Sequence, residues 1–227
     1  MVNIAADVAE YLSDRNREER AASFDYCFNY FQAFRASDDI PGIAQPANLE
    51  ASCLHLGYYL ASWGMLRGST VLHSKSYRFF IPVIEAIAGE PSEIWDIDVH
   101  RYNDPTVNAL LELTERIRTA ITAKPSEGGL AKNPTNTLVT KVLLGVFGSI
   151  PAFDTFFTRG LRLVTGKPAR LNQSTLRAIA DFYRANARAI DQERVRTLDF
   201  ASDRLTRLRY PRAKVIDMVF LIEGGGS

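Results

Sequence analysis

Residues 140–162 read TKVLLGVFGSIPAFDTFFTRGLR, and this stretch decides the fold. Its apolar residues recur at helical spacing on both sides of a short turn. The pattern predicts one helix at about 136–147, a turn over Gly148–Pro151, and a second helix at about 151–164. Successive helices at such spacing are typical of an all-α protein.

One acidic residue lies in this helical pair. Asp154 is the only Asp or Glu between residues 128 and 180. Ser149 is expected to cap the second helix, with Pro151 in its first turn and Asp154 one turn in. The helix dipole favours a carboxylate at that position.

The rest of the chain also reads as helices. Further helices are predicted at 16–36, from Asn48 to about Leu66, from Ser76 to Ile87, from Thr106 to Ile121, and at 174–189, 190–207 and 211–222. Strand signals are poor, and no Asn-Gly hairpin turn occurs. We therefore predict an all-α fold, a single globular domain (1–223) of about nine to ten helices in two layers, 1–123 and 136–223. A loop over 124–136 separates the layers, and 224–227 is interpreted as an appended linker.

Length and composition predict a soluble cytoplasmic protein. The chain has 227 residues, of which 46% are hydrophobic, enough to bury a core. No run of ~18 apolar residues suggests a membrane helix, and the N-terminus lacks the apolar segment of a signal peptide. Cys27 and Cys53 lie in apolar helical patterns and are expected to be buried, reduced thiols. A monomer is expected.

Charge is distributed unevenly. Residues 1–50 carry nine acidic and four basic residues, whereas residues 155–214 carry fourteen Lys or Arg against five Asp or Glu. An excess of nine positive charges on sixty residues suggests a surface that faces a polyanion. The alternative is that these arginines serve solubility or pair with nearby acids.

Several chemistries find no support in the sequence. Three scattered histidines, His55, His73 and His100, and two cysteines are too few for a zinc site. There is no phosphate-binding P-loop, no nucleophile elbow and no dinucleotide-binding glycine motif. We expect no metal and no cofactor.

The 140–162 stretch resembles the core of the helix-hairpin-helix DNA glycosylase superfamily. In that family an apolar-Pro-x-apolar-Asp sequence places a catalytic aspartate at the mouth of a base pocket, and here Ile150–Asp154 matches it. The family's phosphate-binding hairpin is represented only by Gly145–Gly148, which lacks its proline. Lys141 does not match the register of the family's lyase lysine, so no lyase role is transferred to it. The family's four-cysteine iron–sulfur loop is absent.

The resemblance implies a set of site residues. Asp154 would be catalytic, because a carboxylate at ~3 Å stabilises the sugar cation that forms when an N-glycosidic bond breaks. The candidate base pocket comprises His55, Tyr58, Tyr59, Trp63 and Phe153, with Phe156 beside the acid. The candidate DNA-backbone residues are Arg67, Lys75, Arg78, Lys141, Gly148, Arg159 and Arg162, and the basic C-terminal helices would add further contacts. Each of these side chains has a structural alternative: Asp154 as a helix-dipole acid, and the aromatic residues as core.

The leading hypothesis is therefore a monofunctional DNA glycosylase that excises a flipped, modified base. By analogy with small divergent members, its target could be modified phage DNA, as in antiviral defence. The rival hypothesis is a non-catalytic helical protein that binds nucleic acid or another partner. A third, weaker hypothesis is an enzyme that acts on nucleotides.

Overall fold

The computed structural model describes residues 2–13, 15–67, 72–122 and 133–226. They form ten α-helices: α1 Ile4–Ser13, α2 Ala22–Ala36, α3 Pro46–Ser62, α4 Ile81–Ala88, α5 Ser92–Trp95, α6 Asp104–Thr122, α7 Asn136–Phe147, α8 Thr155–Thr165, α9 Gln173–Gln192 and α10 Arg212–Glu223. Short 3₁₀ turns occur at Ile40–Ala44, Tyr77–Phe80 and Val99–Arg101. The predicted all-α class is confirmed. Most of the predicted 124–136 loop lies outside the described residues.

The predicted helix at 190–207 is wrong. After α9 the chain forms a β-hairpin of β1 (Arg196–Leu198) and β2 (Leu205–Arg209), paired antiparallel with Arg196 opposite Arg209. Side chains of α2 hold β1 extended: the Asp25 carboxylate accepts from the Leu198 N–H at 2.9 Å, and Asn29 donates to the Leu198 carbonyl at 2.7 Å. These contacts come from residues about 170 positions earlier, so local patterning could not reveal them.

The predicted starts of two helices and the predicted cap Ser149 also need correction. α3 begins at Pro46, and Asn48 lies in its first turn, where its amide donates to the Gly42 carbonyl at 2.9 Å. α8 begins only at Thr155, because the chain after Pro151 stays extended and Asp154 itself is the N-cap. Ser149 is fully buried, and its hydroxyl has no hydrogen-bond partner among the described residues.

The buried apolar side chains form one continuous cluster from α1 to α10. α1 packs against α10, α2 packs against both α7 and β1, and α8 crosses α10. The two halves of the chain, before and after the 124–136 segment, thus share this core. Cys27 and Cys53 are both buried, and burial raises the pKa of the Cys27 thiol. No helix in the described part of the chain is long and apolar enough to cross a membrane.

Gly224, Gly225 and Gly226, which were interpreted as part of an appended linker, lie against residues of α8. Gly224 is buried where α10 meets α8, and a Cβ on it would lie 2.0 Å from the Phe156 carbonyl oxygen. Gly160 faces it, and a Cβ there would lie 1.9 Å from the Phe220 carbonyl oxygen. Only glycine lets the two backbones approach this closely.

Asp7 in α1 is a buried carboxylate among acids. One of its oxygens is buried without a hydrogen-bond partner among the described residues. Burial, with repulsion from Glu223 and Glu10, raises the pKa of Asp7 to about 6. The folded state therefore binds this proton more tightly than the unfolded chain, and its stability falls as the pH rises from about 4 through 6.

Replacing Asp7 by asparagine is expected to stabilise the protein at pH 7 by about 1–2 kcal/mol, since a neutral side chain avoids the charge penalty. The gain should disappear below about pH 4, where the wild-type carboxyl is protonated in both states. Urea unfolding of both proteins across this range measures the difference. Glu112→Gln, at a side chain that is 74% exposed, is the control and should show no such pH-dependent gain. A gain at Asp7 that is equal at pH 4 and pH 7 would contradict this explanation.

Candidate active site

Asp154 lies at the N-terminus of α8, and both of its carboxylate oxygens accept a hydrogen bond. Oδ1 accepts from the Phe157 N–H at 3.0 Å, and Oδ2 lies 3.2 Å from the Lys141 Nζ. The side chain remains 18% exposed. The carboxylate is thus fixed by a backbone amide and a lysine, yet a small ligand can reach it.

Asp154 faces a cavity of about 210 Å³. Aromatic, basic and hydroxyl side chains make up most of its lining. The lining residues are Arg20, Trp63, Met65, Thr137, Lys141, Asp154, Thr155, Phe156, Leu221 and Gly226. A neighbouring cavity of about 530 Å³ shares Arg20, Trp63 and Leu221 with it and adds Glu10, Tyr11, Ser13, Glu19, Ala21 and Ile222. We call the two cavities together the Trp63 cleft.

Three cations surround the Trp63 ring. The Lys141 Nζ lies 4.8 Å from the ring centroid, the Arg20 guanidinium carbon 5.2 Å and the Lys214 Nζ 5.5 Å. Tyr11 stacks parallel to the same ring at 6.5 Å. Cations over an indole face are attracted by its quadrupole. Trp63 is therefore the ring at which these three cations converge.

A buried ion pair lies behind Trp63. Lys214 is 2% exposed and donates to the Tyr11 hydroxyl at 2.9 Å and to Asp217 Oδ2 at 3.0 Å. Its ammonium also lies over the Tyr11 and Phe24 rings, at 4.6 and 5.0 Å. Burial alone would lower the pKa of Lys214, but Tyr11 and Asp217 more than offset this, so its pKa lies above the ordinary value. Lys214 is therefore a permanent charge.

The segment before Asp154 is held by side chains from two helices. The other oxygen of Asp217 accepts from the Ala152 N–H at 2.8 Å. Thr140 Oγ1 accepts from the Phe153 N–H, and Thr137 Oγ1 donates to the Phe153 carbonyl, both at 2.8 Å. These bonds replace those that a helix would make. They fix the extended residues that deliver Asp154 to the cleft.

The predicted base-pocket residues are divided among different places. Trp63 lines the Trp63 cleft, as does the neighbouring Phe156. Tyr59 and Phe153 are buried, Tyr59 against Gly145 and Phe24, and Phe153 against Phe157. His55 and Tyr58 line a separate cavity of about 480 Å³, together with Tyr26 and Phe200. Of the five residues, only Trp63 lies in the described lining beside Asp154.

The predicted DNA-backbone residues are also scattered. Lys141 lies inside the cleft, and Arg159 and Arg162 are exposed on α8. The Gly148 N–H donates to the Leu143 and Leu144 carbonyls, and the glycine is packed against Pro211 and Phe28, so this amide cannot bind a phosphate. The remaining three lie near the end of α3 and the turn before α4. Arg67 lies beside Gly64. Lys75 and Arg78 line two separate cavities, each of which also includes Tyr77.

Four residues around the cleft were missed from the sequence: Tyr11, Arg20, Lys214 and Asp217. The sequence of α10 does contain a signal for two of them, Lys214 and Asp217. α10 reads RAKVIDMVFLIE, in which Lys214 and Asp217 are three residues apart in an otherwise apolar run. Charges at that spacing on a buried helix must pair with each other or with a functional group.

Comparison with protein-family models, with curated proteins and with solved structures gave no match. Within the described ranges, no three His, Cys, Asp or Glu side chains cluster as they would around a metal ion.

Proposed function

We propose that the chain is a monofunctional DNA glycosylase of the helix-hairpin-helix type, and that Asp154 is its catalytic carboxylate. The observation that carries the proposal is the position of Asp154. It lies at a helix N-terminus, is fixed by the Phe157 amide and Lys141, and opens onto a cleft walled by Trp63 and Phe156. A carboxylate held in this way is suited to stabilise a cation that forms in the cleft.

The proposed reaction is hydrolysis of the bond between a base and its sugar. A flipped base enters the cleft and stacks on Trp63 or Phe156. As the N-glycosidic bond breaks, the base leaves with the bonding electrons and takes up a proton, and water adds its hydroxyl to C1′ of the sugar. Asp154 stabilises the sugar cation and orients the water. Lys141 holds the carboxylate in place.

Replacing Asp154 by asparagine is expected to reduce base release ~10²–10³-fold, since one electrostatic group of the transition state is lost. Asparagine is as good an N-cap as aspartate, so α8 should stay intact. The measurement is incubation with DNA duplexes that carry normal, damaged or bulky modified bases, including the modified cytosines of phage DNA, followed by alkaline cleavage of abasic sites.

The matched control is Asp104→Asn. Asp104 also lies in the first turn of a helix and pairs with an arginine, Arg177 at 2.7 Å, but it is 64% exposed at the surface. Its replacement should leave base release unchanged. Undiminished release by the Asp154 variant would refute the mechanism, and strand cleavage without alkali would refute a monofunctional enzyme.

A non-catalytic nucleic-acid-binding protein is the second candidate. The observation that favours it is the saturation of Asp154, whose two oxygens already have partners in Phe157 and Lys141. An acid that only caps a helix and pairs with a lysine would look the same. DNA binding by the wild-type protein without release of any base on the substrate panel would favour this candidate.

A further inference from the structure

The β-hairpin is an unusual concentration of unpaired arginines. Five exposed arginines lie on or beside its two strands: Arg194, Arg196, Arg204, Arg207 and Arg209. Among the described residues, no carboxylate lies within ion-pair distance of any of the five. By contrast, Arg177, Arg184 and Arg212 on the helices pair with Asp104, Asp181 and Asp191.

The register of the hairpin places two of these positive charges next to each other. Arg196 of β1 lies directly opposite Arg209 of β2. Like charges in facing positions of a strand pair are destabilising. The two acids near the tip do not offset them: Asp199 accepts from the backbone and hydroxyl of Ser202, and Asp203 lies 3.9 Å from Arg17. The facing arginines thus concentrate positive charge on the hairpin, and an anionic partner would relieve their repulsion.

The hairpin is nevertheless firmly attached to the body. The Asp25 carboxylate accepts from the Leu198 N–H and from the Tyr210 hydroxyl, and Arg15 donates to the Arg196 carbonyl at 2.9 Å. Thr197 and Thr206 share a hydrogen bond of 2.6 Å between the strands. The inner side of the hairpin is thus fixed, and the arginines project from its outer side.

An exposed aromatic ring lies at the hairpin tip. Phe200 is 78% exposed and forms a T-shaped pair with Tyr26, with the ring centroids 5.1 Å apart. Residues 15–21 run from this hairpin towards the Trp63 cleft, since Arg15 contacts Arg196 whereas Arg20 lines the cleft. Arginines together with an exposed aromatic ring are typical of nucleic-acid-binding surfaces.

We propose that this arginine hairpin binds the phosphate backbone of duplex DNA and so holds the duplex while the Trp63 cleft takes the target base. Two-stranded ribbons fit the grooves of DNA, and guanidinium groups pair with phosphates in two-pronged geometry. The choice of DNA as the polyanion rests on the proposed function. The hairpin replaces the C-terminal helices as the expected backbone contact.

The test compares two triple variants with the same loss of charge. In the first, Arg196, Arg207 and Arg209 are replaced by glutamine; in the second, Arg177, Arg184 and Arg188 of α9 are replaced by glutamine. Binding of a labelled unmodified duplex is measured by fluorescence anisotropy over a range of salt concentrations. The hairpin variant should lose ~100-fold in affinity at ~0.1 M salt, and its salt slope should fall by about 3. The α9 variant should change less than ~5-fold.

An equal loss in both triple variants, or stronger binding of RNA than of duplex DNA by the wild type, would overturn the proposal. Arg196, Arg207 and Arg209 replaced by lysine serve as a second test, because lysine keeps the charge that attracts phosphates and loses only the two-pronged geometry. This variant should bind within ~10-fold of wild type, and a full loss would contradict backbone binding. If the wild type binds DNA through the hairpin arginines but releases no base, only the glycosylase function is refuted. If it releases a base and the hairpin variant binds DNA as well as the wild type, only the role of the hairpin is refuted.

Discussion

Replacing Lys214 by methionine is expected to lower the free energy of unfolding by about 3–5 kcal/mol. Methionine fills a similar volume, but it leaves Asp217 as a buried carboxylate without its partner cation. The Tyr11 hydroxyl also loses the Lys214 ammonium as its donor. Urea unfolding followed by circular dichroism measures the change.

A double variant separates the charge effect from packing. Lys214→Met combined with Asp217→Asn removes both charges and retains an oxygen that can accept from the Ala152 N–H. It should recover a large part of the loss, because a neutral pair carries little burial penalty. Lys167→Met, at an exposed position, should change stability by less than about 0.5 kcal/mol. A double variant as unstable as the Lys214 single variant would show that packing, not charge, sets the cost.

Replacing Gly160 by alanine is expected to cost about 3 kcal/mol or more, although alanine is the better helix former. The new Cβ would lie 1.9 Å from the Phe220 carbonyl oxygen and 2.9 Å from the Gly224 nitrogen. Both are backbone atoms of the neighbouring segment, so α8 and α10 would have to move apart. Thermal unfolding measures the effect, and base release should fall too, since α8 begins beside Asp154.

The control for Gly160 is Gly89→Ala. A Cβ on Gly89 would lie 3.6 Å from the nearest carbonyl oxygens, and its φ of −83° suits alanine. This substitution should be neutral or slightly stabilising. If Gly160→Ala were equally harmless, the close crossing of α8 and α10 would not be essential to the fold.

The helical pair around Asp154 illustrates what the sequence could predict. Apolar spacing located α7 to the residue and α8 to within four residues. The charge of Asp154 and its position at a helix start were also visible, because capping follows local rules. Its partner Lys141 was named as well, but for a contact with DNA, since nothing local places its amine against the carboxylate.

The remaining features depend on contacts between distant segments. β1 is held by Asp25 and Asn29 of α2, and the Trp63 cleft joins residues from the end of α3 and both chain termini. His55 and Tyr58 share a helix with Tyr59, yet they face another side of the molecule. A helical pattern gives the faces of a helix but does not say which neighbour each face meets.

The cations around Trp63 have an energetic consequence for any reaction in the cleft. Lys214 gives up most of its hydration when the chain folds, so that cost is met once, during folding, and not again in each catalytic cycle. The Lys214–Asp217 pair is thus oriented before a substrate arrives and needs no reorganisation when charge develops in the cleft. The same charges limit how stable the protein can become, because an uncharged, well-packed centre in their place is often the more stable arrangement.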